Sequence, residues 1–385
     1  MMALDITFNG KTKAIYVDDQ STKDILFDSF FGNKSGGVLY LRPEEALYLI
    51  DARKAVCLED GNQISFTHLA SQFNSKLMVR YTTYKDWRDR GLVIRYTQDE
   101  RRRSSKDANI KIYKSSPRPI KYKADGIFFE ENLTTIIEED KAAMALYDDY
   151  WFGQYGTYKV RGHGRFNKLD IYETIFLLEA GALKIRNVSP GKIKKIALKR
   201  REDFLKLYEV YKDWRRRGYV IKTGFKFGTH FRVYFPGAKP MSEGEKWVHS
   251  MHVIQVFPRD AKLLISEWAR AIRVAHSVRK TFILAIPGKT RRKAMDMDFI
   301  LYHRANNNIE SPTTSPPRFG MLSISEEEYI GGSELSAIIN MAKKERMELV
   351  IAIADRETAV TYYKVRRISL EGSKYEYYEI DWMQP

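Results

Sequence analysis

The chain has 385 residues, 44% hydrophobic and 13% aromatic, which is enough apolar surface for about two to four packed units and excludes a disordered chain. Lysine and arginine number 65 against 49 acidic residues, a formal charge of +16 spread along the whole length, which favours a polyanionic partner, nucleic acid before an anionic membrane surface. The single cysteine, Cys57, excludes an internal disulfide and a cysteine-rich zinc site. MMALDITFNGKTK has no apolar signal region and no run of about eighteen apolar residues occurs, so the expectation is a cytoplasmic protein with no membrane segment.

Taken in order, the first recognisable pieces are Phe31-Gly32 in FFGN, a helical EALYLIDARKAV from Glu45, and YKDWRDRGLVI from Tyr84. The same pieces recur as Phe152-Gly153 in WFGQ, ETIFLLEAGALKI from Glu173, and YKDWRRRGYVI from Tyr211. Tyr84 and Tyr211 lie 127 positions apart and Glu45 and Glu173 lie 128 apart, whereas Phe31 and Phe152 are 121 apart. The chain therefore carries two copies of one module, the second with about seven extra residues after WFG. The insertion falls in GQYGTYKVRGHGRFN, where Lys159, Arg161, His163 and Arg165 are interleaved with Tyr155 and Tyr158. Such a loop can clamp a phosphate backbone and stack on a base; the plain alternative is a solvated surface loop.

After its YKDWRDRGLVI the first copy runs into TQDERRRSSKDANIKIYKSSPRPIKYK, polar and rich in charge, which reads as a linker. The second copy continues instead into GFKFGTHFRVY, WVHSMHVIQVF and RVAHSVRKTFILAI. Between Gly224 and Lys280 this stretch offers a phenol at Tyr234, an imidazole at His249 and an amine at Lys280, the parts for proton-transfer chemistry without a metal. Each has an ordinary alternative: a half-buried strand tyrosine, a core or surface histidine in competition with His230, His252 and His276, and a snorkelling lysine. His249 and His252, three apart in a strand-like run, are expected on opposite faces.

A third repeat follows at an offset of 67, with Ser266-Glu267 matching Ser333-Glu334 and SVRKTFILAI matching KERMELVIAI. In this last copy Met347 stands at the position of Lys280, Asn340 at that of Arg273 and Pro316 at that of His249, so the chemistry belongs to the middle copy. The expected fold is α+β: tandem units with small mixed β-sheets flanked by helices, with a catalytic domain in the middle unit. The expected boundaries are a non-catalytic N-terminal half-copy over 1–100, a linker over 101–117, the N-terminal domain of the catalytic unit over 118–222, its catalytic domain over 223–305, a linker over 306–317, and a degenerate structural domain over 318–385.

KTGFKFGTHFRVY, HSMHVIQVFPRD and RVAHSVRK together resemble the archaeal tRNA-splicing endonuclease family, and the order of units is similar to its three-unit homodimeric form. The resemblance implies metal-free cleavage of precursor tRNA at a bulge-helix-bulge element, leaving a 2′,3′-cyclic phosphate and a 5′-hydroxyl. It implies Tyr234 as base, His249 as acid and Lys280 as stabiliser of phosphorane charge, with no cofactor. A phenol titrates near pH 10, so Tyr234 needs the field of cations such as Arg232, Lys226 and Lys280. The family's pair of base-stacking arginines matches Arg273, two turns before Lys280 if the helix persists, with Arg304 as candidate for the second. Asp355 and Glu357 match the acidic loop with which the family's structural subunit plugs a basic cleft across the homodimer.

Two other classes compete. A non-enzymatic structured-RNA-binding protein would use the same basic surface with the triad as structure. A metal-dependent DNA nuclease would need clustered carboxylates with a nearby lysine, and the DMD at 296–298 is a poor site because adjacent side chains diverge.

Overall fold

The computed structural model describes residues 4–97, 110–157, 163–241, 246–288, 296–305 and 308–385, and its architecture is α+β. In the first stretch a six-stranded sheet, ordered Asn33–Ser35, Val38–Leu41, Ala14–Val17, Asp5–Asn9, Val56–Glu59 and Asn62–Ile64, is joined by helices α1 (Pro43–Arg53) and α2 (Leu77–Asp89). In the middle stretch a five-stranded sheet, ordered Gln154–Tyr155, Asn167–Leu169, Thr134–Ile137, Ala124–Phe129 and Leu183–Ile185, is joined by α3 (Ile171–Glu179) and α4 (Phe204–Arg216). Both are built alike, an antiparallel hairpin (Thr7 opposite Tyr16, Thr135 opposite Phe128) with a parallel strand beside it (Ile6 opposite Cys57, Asp125 opposite Lys184). Helix α4 forms because Leu207, Tyr211 and Trp214 recur on one face, and all three are buried. Helix α3 starts at a capping box: Asp170 accepts the Glu173 N–H at 2.8 Å and the Glu173 carboxylate accepts the Asp170 N–H at 3.1 Å.

Apart from two short hairpin-like pairs, Lys262–Leu264 with Tyr329–Gly331 and Arg304–Ala305 with Asn308–Ile309, the remaining described strands form one 11-stranded sheet. They are β1 (Ile94–Tyr96), β2 (Lys111–Tyr113), β3 (Tyr219–Thr223), β4 (Phe231–Pro236), β5 (His252–Val256), β6 (Thr281–Ile286), β7 (Phe299–Leu301), β8 (Phe319–Ser325), β9 (Glu348–Ala354), β10 (Val360–Leu370) and β11 (Glu376–Met383). Their spatial order is β3-β4-β5-β6-β11-β10-β9-β8-β7-β1, with β2 added on β10. Helices α5 (Ile265–Ser277) and α6 (Gly332–Lys344) precede β6 and β9.

That order is a palindrome. Strand β5 runs parallel to β6 with His252 opposite Thr281, and β8 runs parallel to β9 with Phe319 opposite Glu348, both members 67 positions on. Outside these, Ile221 of β3 faces Val233 of β4, and Ile94 of β1 faces Leu301 of β7. The residue after Leu301, Tyr302, therefore occupies the place that Tyr234 holds in β4. The first and last stretches of the chain thus complete one another as a second unit of the middle unit's design. Their apolar side chains share one core, in which Leu47, Tyr84 and Trp87 meet Phe299, Met321 and Val350. Phe299–Leu301, inside the range 223–305, sits in the sheet with the C-terminal strands.

The repeated YKDWR motif explains how each helix grips the sheet. The Asp86 carboxylate accepts the Tyr362 hydroxyl at 2.7 Å, and Asp213 accepts that of Tyr377 at 2.7 Å. Trp87 and Trp214 each lie edge-on to the same tyrosine, with centroids 5.4 Å apart. The following arginines, Arg88 and Arg215, each stack at 3.9 Å on the phenylalanine of the FG turn, Phe31 or Phe152. This motif is a structural clamp in both copies.

Residues 110–117, read from sequence as linker, contain β2. It adds in parallel to β10, with Ile112 opposite Ser369, because Glu379 accepts both the Lys111 ammonium at 2.6 Å and the Tyr113 hydroxyl at 2.5 Å. The alternating YEYYEIDWM segment forms β11 and pairs with β6 of the middle unit, Phe282 opposite Ile380, so it completes a join within the chain. No helix among the described residues is long and apolar enough to cross a membrane.

Candidate active site

Strand register brings the three reactive side chains together. Val233 pairs with His252, so the Met251 N–H reaches the Val233 carbonyl at 3.1 Å and the segment before β5 runs beside Tyr234. His252 pairs in parallel with Thr281, whose N–H reaches the Met251 carbonyl at 3.2 Å and carries Lys280 to the same end of the sheet. Tyr234, His249 and Lys280 line one open cleft of about 640 Å³ between this sheet end and the five-stranded sheet.

Each side chain is held differently. Tyr234 is buried in β4, its ring 4.4 Å from that of Trp151, with the Arg232 guanidinium 5.8 Å from its centroid. Lys280 is buried, donates to the Ser250 carbonyl and lies 5.1 Å from the Phe227 ring. Burial, and then the charge of Arg232, hold its amine below the usual lysine range. The turn before it places Arg279 at φ 55°. Helix α5 has ended by Ser277, so the continuous helix imagined between Arg273 and Lys280 does not exist. His249 is exposed in the segment before β5, which begins only at His252; the strand alternation expected for His249 and His252 does not reach His249.

The other histidines are occupied elsewhere. His230 Nδ1 accepts the Val256 N–H at 3.0 Å, and His276 Nε2 lies 3.2 Å from the Ile380 carbonyl. His252 packs among Tyr113 and Phe235, ring centroids 5.3 and 6.2 Å away, with neither ring nitrogen hydrogen-bonded. Burial pushes His230 and His252 down to about 4. The sign follows from linkage: the unfolded chain takes up these protons near pH 6.5, so stability present above that pH is lost as pH falls toward 4. Each histidine is expected to contribute about 1.4 kcal/mol of loss per pH unit in that window. Urea unfolding between about pH 7 and pH 4.5 measures it: His252→Leu should flatten roughly half of the acid slope. An unaltered slope contradicts the assignment.

The cleft is electropositive. Lys168, Lys222, Lys226, Arg232, Arg279 and Lys280 line it against two carboxylates, Asp170 and Glu173, and both of those are engaged within the protein. Glu173 accepts the Lys222 ammonium at 2.6 Å and the Gly153 N–H at 2.9 Å, while Lys222 also donates to the Gly153 carbonyl at 2.8 Å. The buried Lys222–Glu173 pair thereby fixes the Trp151-Phe152-Gly153 turn, and with it the indole packed on Tyr234. Such an array suits a phosphodiester bearing extra negative charge at one phosphorus. Among the described residues no three His, Cys, Asp or Glu side chains gather as a metal site.

Among the described sequence candidates, Arg273, Arg304, Asp355 and Glu357 are not among the residues lining the cleft. Arg273 is exposed on α5 and its charge falls near Tyr363 of β10. Arg304 donates to the Arg90 carbonyl at 3.0 Å, against the first stretch of the chain. Asp355 accepts the N–H groups of Glu357 and Ala359 at 2.9 and 2.8 Å, shaping the exposed turn between β9 and β10. Lys159 and Arg161 lie outside the described residues. Sequence reading missed Trp151, Lys222 and Glu173 as parts of the site. The available signal was that Glu173 and Gly153 recur as Glu45 and Gly32, whose N–H also donates to the glutamate, at 3.0 Å.

Comparison with known proteins matches residues 204–295 to the family model of the tRNA intron endonuclease catalytic C-terminal domain, a range containing Tyr234, His249 and Lys280. Residues 10–70 match that of the tRNA intron endonuclease N-terminal domain. The chain is similar to the tRNA-splicing endonuclease of Methanosarcina barkeri, 25% identical over 334 residues, 72% of this chain and 94% of the relative. It is 35% identical to that of Pyrococcus abyssi over 151 residues, 38% of this chain and 79% of the relative. It is 38% identical to that of Methanopyrus kandleri over 129 residues, 32% of this chain and 68% of the relative.

Proposed function

This chain belongs to the tRNA-splicing endonuclease family, and from that premise we propose that it cuts precursor tRNA at intron–exon junctions presented as a bulge-helix-bulge, without a metal, as a homodimer. The observation that supports this reading is the convergence of Tyr234, His249 and Lys280, all three within the matched catalytic domain, on one electropositive cleft.

The chemistry is an internal transesterification. Tyr234 takes the proton from the ribose 2′-hydroxyl as its oxygen bonds to the adjacent phosphorus. His249, protonated, gives its proton to the 5′-oxygen as the P–O5′ bond breaks, leaving a 2′,3′-cyclic phosphate and a 5′-hydroxyl. Lys280 faces the charge that develops on the non-bridging oxygens. Base, acid and positive charge are all supplied by side chains, so no step requires a metal ion.

Each chain carries one such site, because the second unit of the palindrome keeps a phenol at Tyr302 but has Pro316 and Met347 in the places of His249 and Lys280. Two cuts per intron therefore call for two chains. In that dimer Asp355 and Glu357 are proposed to enter a basic cleft of the partner, and Arg273 and Arg304 to stack on a base bound at the partner's site. Lys159 and Arg161 are proposed to hold the RNA backbone. Incubation with a bulge-helix-bulge RNA tests the reading; an RNA that is bound but left uncut would refute it.

A further inference from the structure

Phe225 is the most exposed large hydrophobic side chain among the described residues, at 92%, and lies in the turn between β3 and β4. Isolated apolar residues on a surface are ordinary. This one differs in how rigidly it is presented and in what stands next to it.

The turn is a single 3₁₀ loop over Phe225–Phe227, closed by four backbone bonds: Gly224 N–H to the His230 carbonyl at 2.9 Å, Phe227 N–H to Gly224 at 2.8 Å, Gly228 N–H to Phe225 at 3.2 Å and Thr229 N–H to Gly224 at 3.4 Å. At Gly224 a Cβ would meet Thr229 Oγ1 at 2.5 Å and the Thr229 carbonyl oxygen at 2.7 Å, so the backbone is packed tightly there. Gly228 closes the turn at φ 63°. With the backbone so fixed, the three side chains divide. Lys226 and Phe227 line the cleft, Phe227 beneath the Lys280 amine, while the Phe225 ring stands out in solvent.

A nucleotide has two ends of opposite character, an anionic phosphate and a flat apolar base. A turn that sends a cation into the reactive cleft and holds an aromatic ring outside it is complementary to both. Unpaired bases lose stacking partners when they leave a duplex, and an aromatic face restores that contact without regard to base identity. The second unit of the palindrome has no such turn, since β1 and β7 are there separated by the whole middle unit. The feature belongs to the one unit that holds the reactive side chains.

We propose that Phe225 is a stacking subsite for an unpaired nucleobase adjacent to the scissile phosphate. The inference rests on the endonuclease reading above, deepens it by assigning a base contact, and can fail separately from it.

The test compares Phe225→Ala, Phe225→Leu and Phe225→Trp in the full chain, with precursor tRNA carrying 2-aminopurine at successive bulge positions. Loss of one stacked base is expected to weaken binding on the order of tenfold for Ala and for Leu, with the cleavage rate at saturating RNA held within about twofold. Trp should restore binding. The wild type should quench 2-aminopurine at one bulge position, and Ala should abolish that quenching. Because the ring is exposed, thermal melting of all three variants should match the wild type. Ala binding and quenching like wild type, Leu rescuing as well as Trp, or Ala shifting the oligomer on sizing would each overturn the proposal, the last by giving the ring to a protein contact. A wild type that binds and quenches but does not cut would refute the endonuclease reading and leave the stacking contact standing.

Discussion

His249→Ala is expected to lower the rate constant of cleavage at saturating precursor tRNA by about 10²–10⁴-fold, the range for losing a general acid, and Lys280→Ala by about 10²–10³-fold, the range for losing one stabiliser of developing charge. RNA affinity should stay within a few-fold for both, because neither loss removes more than one of the cations lining the cleft. The roles separate with a substrate whose 5′-leaving oxygen is replaced by sulfur. A thiolate leaves without protonation, its pKa being near 8.5, so the sulfur substrate should restore most of the His249→Ala rate and little of the Lys280→Ala rate. Lys280 also donates to the carbonyl of Ser250, the neighbour of His249, so in the proposed mechanism its loss would also disturb the segment that carries the imidazole. The double variant is accordingly expected to lose less than the product of the single losses. Parallel loss of affinity and rate, or no rescue by sulfur, would reduce both residues to RNA contacts.

Lys222→Met should cost about 3–5 kcal/mol of stability by leaving Glu173 buried without its cation. Both partners are nearly inaccessible, at 8% and 2% exposure, and the ion pair measures 2.6 Å. Burial holds the Lys222 amine below its usual range, so the pair stands against a desolvation penalty that only the intact partnership offsets. Combining Lys222→Met with Glu173→Gln should recover most of the loss, since the amide keeps an acceptor for the Gly153 N–H and neither charge of the pair is left buried without its partner. Urea unfolding of the single and double variants measures this. A single-variant loss below about 1 kcal/mol would mean that the pair is not what anchors the Trp151-Phe152-Gly153 turn. Cleavage by the double variant should still fall, because the indole packed 4.4 Å from Tyr234 depends on that turn.

Much of this arrangement was legible in the sequence, for identifiable reasons. The offsets of 127 and 67 survive as strand register, since Ile94 and Ile221 fall on corresponding strands, as do Glu348 and Thr281. Repeats preserve local patterning, and register follows patterning. The proposed triad came only from motif resemblance; spacing alone left His249 level with three other histidines, and in the fold His230 and His276 have backbone partners and His252 is buried, whereas His249 is exposed at the cleft. The pairing of β1 with β7 was not legible, because two three-residue strands some two hundred positions apart leave no periodic trace. Likewise β2 was hidden in a charged stretch, its strand character coming from Glu379, far along the chain. The YKDWR motif was legible only as a repeat; in the fold its aspartate, tryptophan and first arginine face tyrosine hydroxyls, rings and carbonyls.

The most direct measurement is the chemistry of the cut ends. Precursor tRNA cleaved by the purified protein in excess chelator should yield exon ends bearing a 2′,3′-cyclic phosphate and a 5′-hydroxyl on the following fragment, at both junctions of a bulge-helix-bulge. Activity abolished by the chelator, or ends carrying a 3′-hydroxyl and a 5′-phosphate, would contradict the assignment of Tyr234, His249 and Lys280 as base, acid and charge stabiliser.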